Sequence, residues 1–369
     1  MLNNKRAYLL LENGSLFEAD LFGYDEFDDL CAEIVFNTSM VGYTQTLTDP
    51  SYYGQMIVQT FPLIGNYGVN PLDFENEKSY VRAYIAREFC KEPSNFRSRY
   101  SIEKFLIDNK IPALCNIDTR ALTKQLRTCG TMNAIILKSF DENDKDKILK
   151  ELKNCKITNA IAKVSTKESI FLCSMRPYRI VIMDFGCKKS DVYEFIGEDF
   201  DVIIVPYDTT AQKIKQLNPD GVLLSDGPSD PMENTEVISE IKKLSQMNMP
   251  ILGVGMGHQL LALANGAKTK KLKYGHRGSS QPVKDVNSGK VYITAQNHGY
   301  VVDRDSLSDN MHMRFVNIND NTCEGIEYTD IPALSIQFNL KLCAGAQDSN
   351  LLLDEFISMV KERKTNASK

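Results

Sequence analysis

At 369 residues the chain exceeds one ordinary hydrophobic core and implies two domains. Charged residues at 25% and hydrophobic ones at 43% are the proportions of a soluble globular protein, and a net charge of -5 argues against nucleic acid or an acidic membrane as partner. No apolar run reaches the ~18 residues of a membrane span. The nine cysteines form no Cys-x-x-Cys pair and no His/Cys cluster at zinc-ligand spacing, so no metal site is expected, and reduced thiols in a cytoplasmic compartment are the simplest reading.

In chain order, the first half opens on Ala7-Tyr-Leu-Leu-Leu-Glu-Asn-Gly-Ser-Leu-Phe-Glu-Ala19, where Asn13-Gly14 between apolar runs signals a hairpin. Strand patterns continue at Glu33–Phe36, Met56–Phe61 and Val81–Ala86, followed by helical patterns at Ser101–Asn109 and Thr119–Thr128, with Asp118 or Thr119 as a cap for the second. Residues 1–140 are therefore expected to form a β-rich α+β domain. The charged and polar stretch 141–177 reads as a terminal helix plus linker. Beyond it, apolar runs at Arg179–Asp184, Val202–Pro206, Gly221–Ser225 and Pro250–Val254 alternate with helical segments near Lys189–Ile196, Thr210–Leu217 and Asn234–Met247. That alternation predicts, over 178–364, an α/β domain with a mostly parallel sheet flanked by helices, with ligands bound at the C-terminal strand ends. The late run Ala333–Phe338 adds a strand, Lys268–Lys273 reads as a solvated loop, and the polar end 365–369 as a frayed tail.

The strand Pro250–Val254 leads through Gly253-Val-Gly-Met-Gly257 into the apolar helix His258–Ala264. This is the outline of a nucleophile elbow, Gly-x-nucleophile-x-Gly, whose small flanks allow a sharp strand-to-helix turn. The apex, where a Ser or Cys is needed, is Gly255.

Several strings resemble the small-subunit family of carbamoyl-phosphate synthetase. In the first half these are Phe36-Asn-Thr-Ser-Met-Val-Gly-Tyr43, Leu47-Thr-Asp-Pro-Ser-Tyr52, Gly65-Asn-Tyr-Gly68 and Asn116-Ile-Asp-Thr-Arg-Ala-Leu-Thr123. In the second half they are Asp184-Phe-Gly186, Leu224-Ser-Asp-Gly-Pro228, Gly257-His-Gln-Leu-Leu261 and Gln296-Asn-His-Gly-Tyr300, which are similar to class I glutamine amidotransferases. The resemblance implies glutamine hydrolysis by a Cys-His-Glu triad: an elbow thiolate attacks the amide, the histidine moves the proton and the glutamate orients the imidazole. By the family's pattern those three positions are Gly255, Asn339 and Lys341 here, so all three triad members are vacated. Loss of one such member typically costs about 10⁴-fold in rate.

The resemblance also implies a glutamine pocket made of Ser39 (from the first domain), Gly227 and Ser229 on an oxyanion loop that is Gly-Pro-Gly in the family, and Met256, Gln259, Asn297, Gly299 and Tyr300. It further implies a large partner subunit, in a heterodimer or higher assembly, which alone would use ATP and Mg. No cofactor is expected in this chain. The expected function is a small subunit without glutaminase activity that supports ammonia-dependent synthesis of carbamoyl phosphate, for pyrimidine or arginine biosynthesis. Three alternatives stay open. One is a glutaminase working through unorthodox residues such as Cys187 or Cys343. Another is a stand-alone sensor that binds L-glutamine, and the third is a dinucleotide phosphate loop at Gly253–Gly257, whose spacing is Gly-x-Gly-x-Gly rather than Gly-x-Gly-x-x-Gly.

Overall fold

The computed structural model describes residues 5–196, 199–340 and 350–367. The chain divides into two compact units, Met1–Thr158 and Asn159–Lys369. The boundary falls inside the stretch 141–177. The helix Lys145–Leu152 belongs to the first unit and buries Leu152 beside Leu10, Ile135 and Leu137, whereas the strand Ile170–Leu172 joins the sheet of the second.

The first unit is a closed barrel, in the spatial order Arg6–Leu11, Leu16–Gly23, Pro112–Cys115, Ala83–Ile85, Gln55–Gln59, Leu30–Asn37, Met132–Leu137 and back to the first strand. The opening hairpin turns at Asn13-Gly14, with Gly14 at φ 86°. The two expected helices form at Ile102–Asp108 and Thr119–Cys129. Ser101 and Asp118 cap them by accepting hydrogen bonds from the amides of Lys104 and Ala121. Two of the cysteines expected as free thiols, Cys31 and Cys155, form a disulfide instead. The turn after Lys145–Leu152 carries Cys155 back to the strand Leu30–Asn37, and no sequence spacing reveals that return.

The second unit is built on a ten-stranded mixed sheet. Its centre is five parallel strands in the order Phe200–Pro206, Tyr178–Asp184, Gly221–Leu224, Ile251–Val254 and Ala333–Ile336. These strands are predominantly apolar because both faces are covered. Val181 and Met183 pack toward the helices Thr235–Ser245 and Met256–Ala264, while Ile180 and Ile182 pack toward Lys189–Ile196 and Asn350–Ala367. Each fully buried aliphatic side chain contributes about 1.5–3 kcal/mol of transfer free energy.

The expected mostly parallel sheet is thus parallel only at its centre. Ile170–Leu172 adds antiparallel at one edge, and Cys323–Tyr328, Met311–Asn317, Thr269–Asp285 and Val291–Val302 extend the other edge antiparallel. The run Lys268–Lys273, expected as a loop, is largely the start of the long strand Thr269–Asp285, with side chains that stay wholly or partly in solvent. The terminal helix continues to Ala367, three residues into the segment expected to fray. Among the described residues no helix is long and apolar enough to cross a membrane.

Candidate functional site: a filled elbow

The C-terminal ends of the central strands bring together Asp184, Leu224, Val254 and Ile336, and the loops that follow them build the site. At Gly255 the backbone turns with φ 53° and ψ −109°, and the Gly255 amide donates to the carbonyl of Ile336 at 2.8 Å. The helix Met256–Ala264 starts at once, and eight of its nine residues are buried, as expected of a segment with apolar side chains on most of its faces. The flanking glycines are steric necessities. A Cβ at Gly257 would stand 2.1 Å from the Leu224 carbonyl oxygen, and one at Gly253 would stand 2.8 Å from the Gly257 carbonyl oxygen. The predicted elbow is therefore present, with no side chain at its apex.

That apex is not empty space. A Cβ at Gly255 would lie 2.0 Å from Oδ1 of Asp226, which follows the strand Gly221–Leu224 by two residues. The same oxygen accepts hydrogen bonds from the amides of Gly227, at 2.8 Å, and Met256, at 3.1 Å. The other carboxylate oxygen is 3.1 Å from Lys188 Nζ, which also donates to Oδ1 of Asn339 at 2.8 Å. Lys188 and Asp226 are only 2% and 4% exposed, so the ion pair is sealed from water. The Asn339 amide is itself held by the carbonyl of Ala295 at 3.0 Å.

Of the three vacated triad positions, Gly255 and Asn339 thus meet at one cluster. Lys341 and Cys343 lie outside the described residues. Lys188 and Asp226 were not singled out by sequence reasoning, although both stand within a few residues of a parallel strand's C-terminal end, where chemistry collects in this architecture.

The loop bearing Lys188 is fixed by Asp184, whose carboxylate accepts from the amides of Gly186 (2.9 Å), Cys187 (2.7 Å) and Thr166 (2.6 Å). Burial raises the Asp184 pKa despite those three bonds. Ser225 links the neighbouring loop, accepting from the Phe185 amide at 2.9 Å and donating to the Asp226 carbonyl at 3.0 Å. Cys187, the candidate replacement nucleophile, is partly buried, with its thiol 3.6 Å from the Lys188 carbonyl.

His258 does not substitute for the missing base. It is fully buried with Nδ1 2.8 Å from Ser335 Oγ, and desolvation lowers its pKa to about 3.

The remaining expected pocket residues lie on several different elements. Gln259 is buried and its amide nitrogen already donates to the Tyr300 carbonyl at 2.7 Å and to Gln337 Oε1 at 2.9 Å. Asn297 and Gly299 lie on the strand Val291–Val302, where Asn297 pairs in register with the buried Arg277, and the Arg277 guanidinium approaches Gly299 closely. Ser229, on the loop after Asp226, takes φ 78° and donates to Glu233 at 3.4 Å. A side chain in that left-handed region explains why glycine would be the easier residue there. Ser39 belongs to the first unit, between the strand Leu30–Asn37 and the helix Tyr43–Thr48, and its amide is capped by Asn37 Oδ1 at 2.7 Å.

Among the described residues one buried group has metal-ligand character: His276, His298 and Glu324. Most of its atoms already face other protein groups. His276 Nε2 is 2.9 Å from Asp320 Oδ2, and its Nδ1 is 3.4 Å from Glu324 Oε1. His298 meets the Tyr300 carbonyl at 2.9 Å and Gln296 Oε1 at 3.0 Å. Burial works against a cation at His276, but the two carboxylates outweigh it and push its pKa up to about 9. Burial and the His276 charge hold His298 well below its ordinary value. A protonated His276 between two carboxylates describes this cluster better than a metal centre.

Comparison with known proteins gives the same division of the chain. Residues 9–136 match the carbamoyl-phosphate synthase small chain, CPSase domain, and residues 181–359 match the class-I glutamine amidotransferase family. The chain is 44% identical over 352 residues to the carbamoyl phosphate synthase small chain of Clostridium perfringens, covering 95% of this chain and 99% of that one. It is 45% identical over 354 residues to the small chain of Fusobacterium nucleatum, covering 95% and 97%. Against the pyrimidine-specific small chain of Bacillus subtilis it is 43% identical over 353 residues, covering 95% of each. With a barrel, an amidotransferase-type α/β unit and full-length likeness to such chains, the protein belongs to the carbamoyl phosphate synthase small chain family.

Proposed function

We propose that the chain serves as a non-hydrolysing small subunit, which supports ammonia-dependent carbamoyl phosphate synthesis by a large partner subunit. The observation that carries this reading is the pairing of a bare glycine at the elbow apex with Asn339 beyond the strand Ala333–Ile336. Hydrolysis of an amide through a covalent intermediate needs a nucleophile and a base within hydrogen-bond reach of it. Gly255 offers no nucleophile, and the Asn339 carboxamide does not titrate near neutral pH. Buried His258, with its pKa near 3, is no proton acceptor for substrate chemistry at the apex.

The partner follows from the relatives, all named as small chains of one synthase. In this reading ATP, Mg and the acyl-phosphate chemistry belong to the large subunit, and free ammonia replaces glutamine as nitrogen donor. The test is co-purification with a large subunit followed by carbamoyl phosphate assays on each nitrogen source. Ammonium should drive synthesis while glutamine gives background, and a Cys187→Ser control should change neither. Glutamine-driven turnover comparable to the ammonium rate would end the proposal.

A further inference from the structure

Asp226 is the feature that the loss of a triad does not by itself account for. A vacated active site would be expected to leave a water-filled hollow with its oxyanion donors turned toward solvent. Here Asp226 Oδ1 takes up the amides of both Gly227, on its own loop, and Met256, at the start of the elbow helix. It also stands 2.0 Å from where an apex Cβ would begin. Lys188 then neutralises the carboxylate at 3.1 Å, and its ammonium also donates to Asn339 Oδ1 at 2.8 Å.

We propose that Asp226 is an internal plug: its carboxylate occupies both the nucleophile's space and the oxyanion donors, and Lys188 with Asn339 locks it there. The proposal rests on the reading of the chain as non-hydrolysing and goes beyond it. The site is not only without a nucleophile but closed to any acyl substrate. A carbonyl oxygen developing negative charge would find its two amide donors taken and a fixed carboxylate facing it, the reverse of the electrostatics that stabilise such a transition state. Asn339 is then a working part of the lock, because its carboxamide oxygen accepts from the Lys188 ammonium, whereas a protonated imidazole at that position would repel it.

Restoring the triad should therefore fail while Asp226 remains, because even without Asn339 the carboxylate keeps the amides of Gly227 and Met256 and its pair with Lys188. The triple variant Gly255→Cys, Asn339→His, Lys341→Glu, in the full chain, is expected to release glutamate at the wild-type background. Adding Asp226→Ala is expected to raise that rate by about 10²-fold or more, the usual worth of an oxyanion donor. A triple variant as active as the quadruple one would overturn the proposal.

A second measurement is independent of catalysis. Gly255→Cys alone should lower the melting temperature, and its thiol should react with iodoacetamide at least tenfold more slowly than in Gly255→Cys, Asp226→Ala. The second substitution should also recover part of the lost melting temperature. Additive melting shifts together with equal alkylation rates would overturn the plug even if neither enzyme variant turns over. Glutamine hydrolysis by the wild-type chain would strike the proposed function, whereas coupling between positions 255 and 226 reads the plug alone.

Discussion

At the C-terminal edge of the parallel strands, Lys188, Asp226 and Asn339 lock together around a glycine; in the antiparallel extension of the same sheet, His276 lies between Asp320 and Glu324. Both clusters pair opposite charges, the first wholly buried and the second open to solvent at Asp320, and they depend on different supports. The first draws on backbone amides at the elbow as well as on its cation, so its carboxylate is held by structure that titration does not touch. The second rests mainly on side chains, with the Thr322 amide donating to Asp320 as well, and its cation is a histidine whose charge can be removed within an accessible pH range. The elbow cluster is thus braced by the backbone around it, while its neighbour keeps a titratable histidine at its core.

Breaking the first cluster should have the largest effect. Lys188→Met removes the buried cation that pairs with Asp226, and breaking such a pair typically costs about 3–5 kcal/mol. Chemical denaturation should show the loss, and the double variant Lys188→Met, Asp226→Asn should recover most of it because neither member of the pair is then left as a lone buried charge. A Lys188→Met variant as stable as wild type would remove the distinction between the clusters.

The second cluster should respond to pH instead. The folded pKa of His276, about 9, lies above its ordinary value near 6.5, so its contribution is fully present below the latter and is lost as pH rises through about 9. Asp320, held at about 2 by its hydrogen bond to His276 against the opposing effect of burial, gives a contribution lost only as pH falls through about 2. Between pH 6 and 9.5 the urea midpoint should therefore fall, and His276→Gln should flatten the profile; an unchanged slope in that variant would sink the assignment.

The smallest effect is expected at the rim of the elbow. Ser229 sits at φ 78°, and Ser229→Gly should gain about 0.5–1 kcal/mol by relieving a left-handed side chain. Thermal unfolding at fixed pH is the check.

Much of the frame is legible in the sequence because local signals coincide with the final structure. Asn13-Gly14 marks its hairpin, Ser101 and Asp118 cap their helices, and the glycines at 253 and 257 announce a turn whose backbones nearly touch. The parallel strands read as continuous apolar runs because both of their faces are covered.

The antiparallel extension is harder to see. Thr269–Asp285 mixes exposed lysines with buried His276 and Arg277, so its polar residues resemble a loop until their partners across the sheet are known. The strand Pro112–Cys115 is four residues long and begins with proline, too little pattern to separate from a turn. The plug is hidden for a different reason. Its members are separated by 38 residues from Lys188 to Asp226 and by 151 from Lys188 to Asn339, so only the convergence of strand ends makes them neighbours. The vacated apex and Asn339 were visible as absences; what had filled them was not.

The contact between Gly257 and the Leu224 carbonyl has a consequence for how such chains are recognised. The two small residues bracketing the apex are demanded by a helix start pressed onto a neighbouring strand, and that demand is indifferent to whether any bond is ever broken at the apex. Fingerprints written around those glycines therefore detect a way of joining a strand to a helix. Chains that have retired the reaction will keep scoring as hydrolases for as long as they keep the fold, and the diagnostic letter is the one between the glycines.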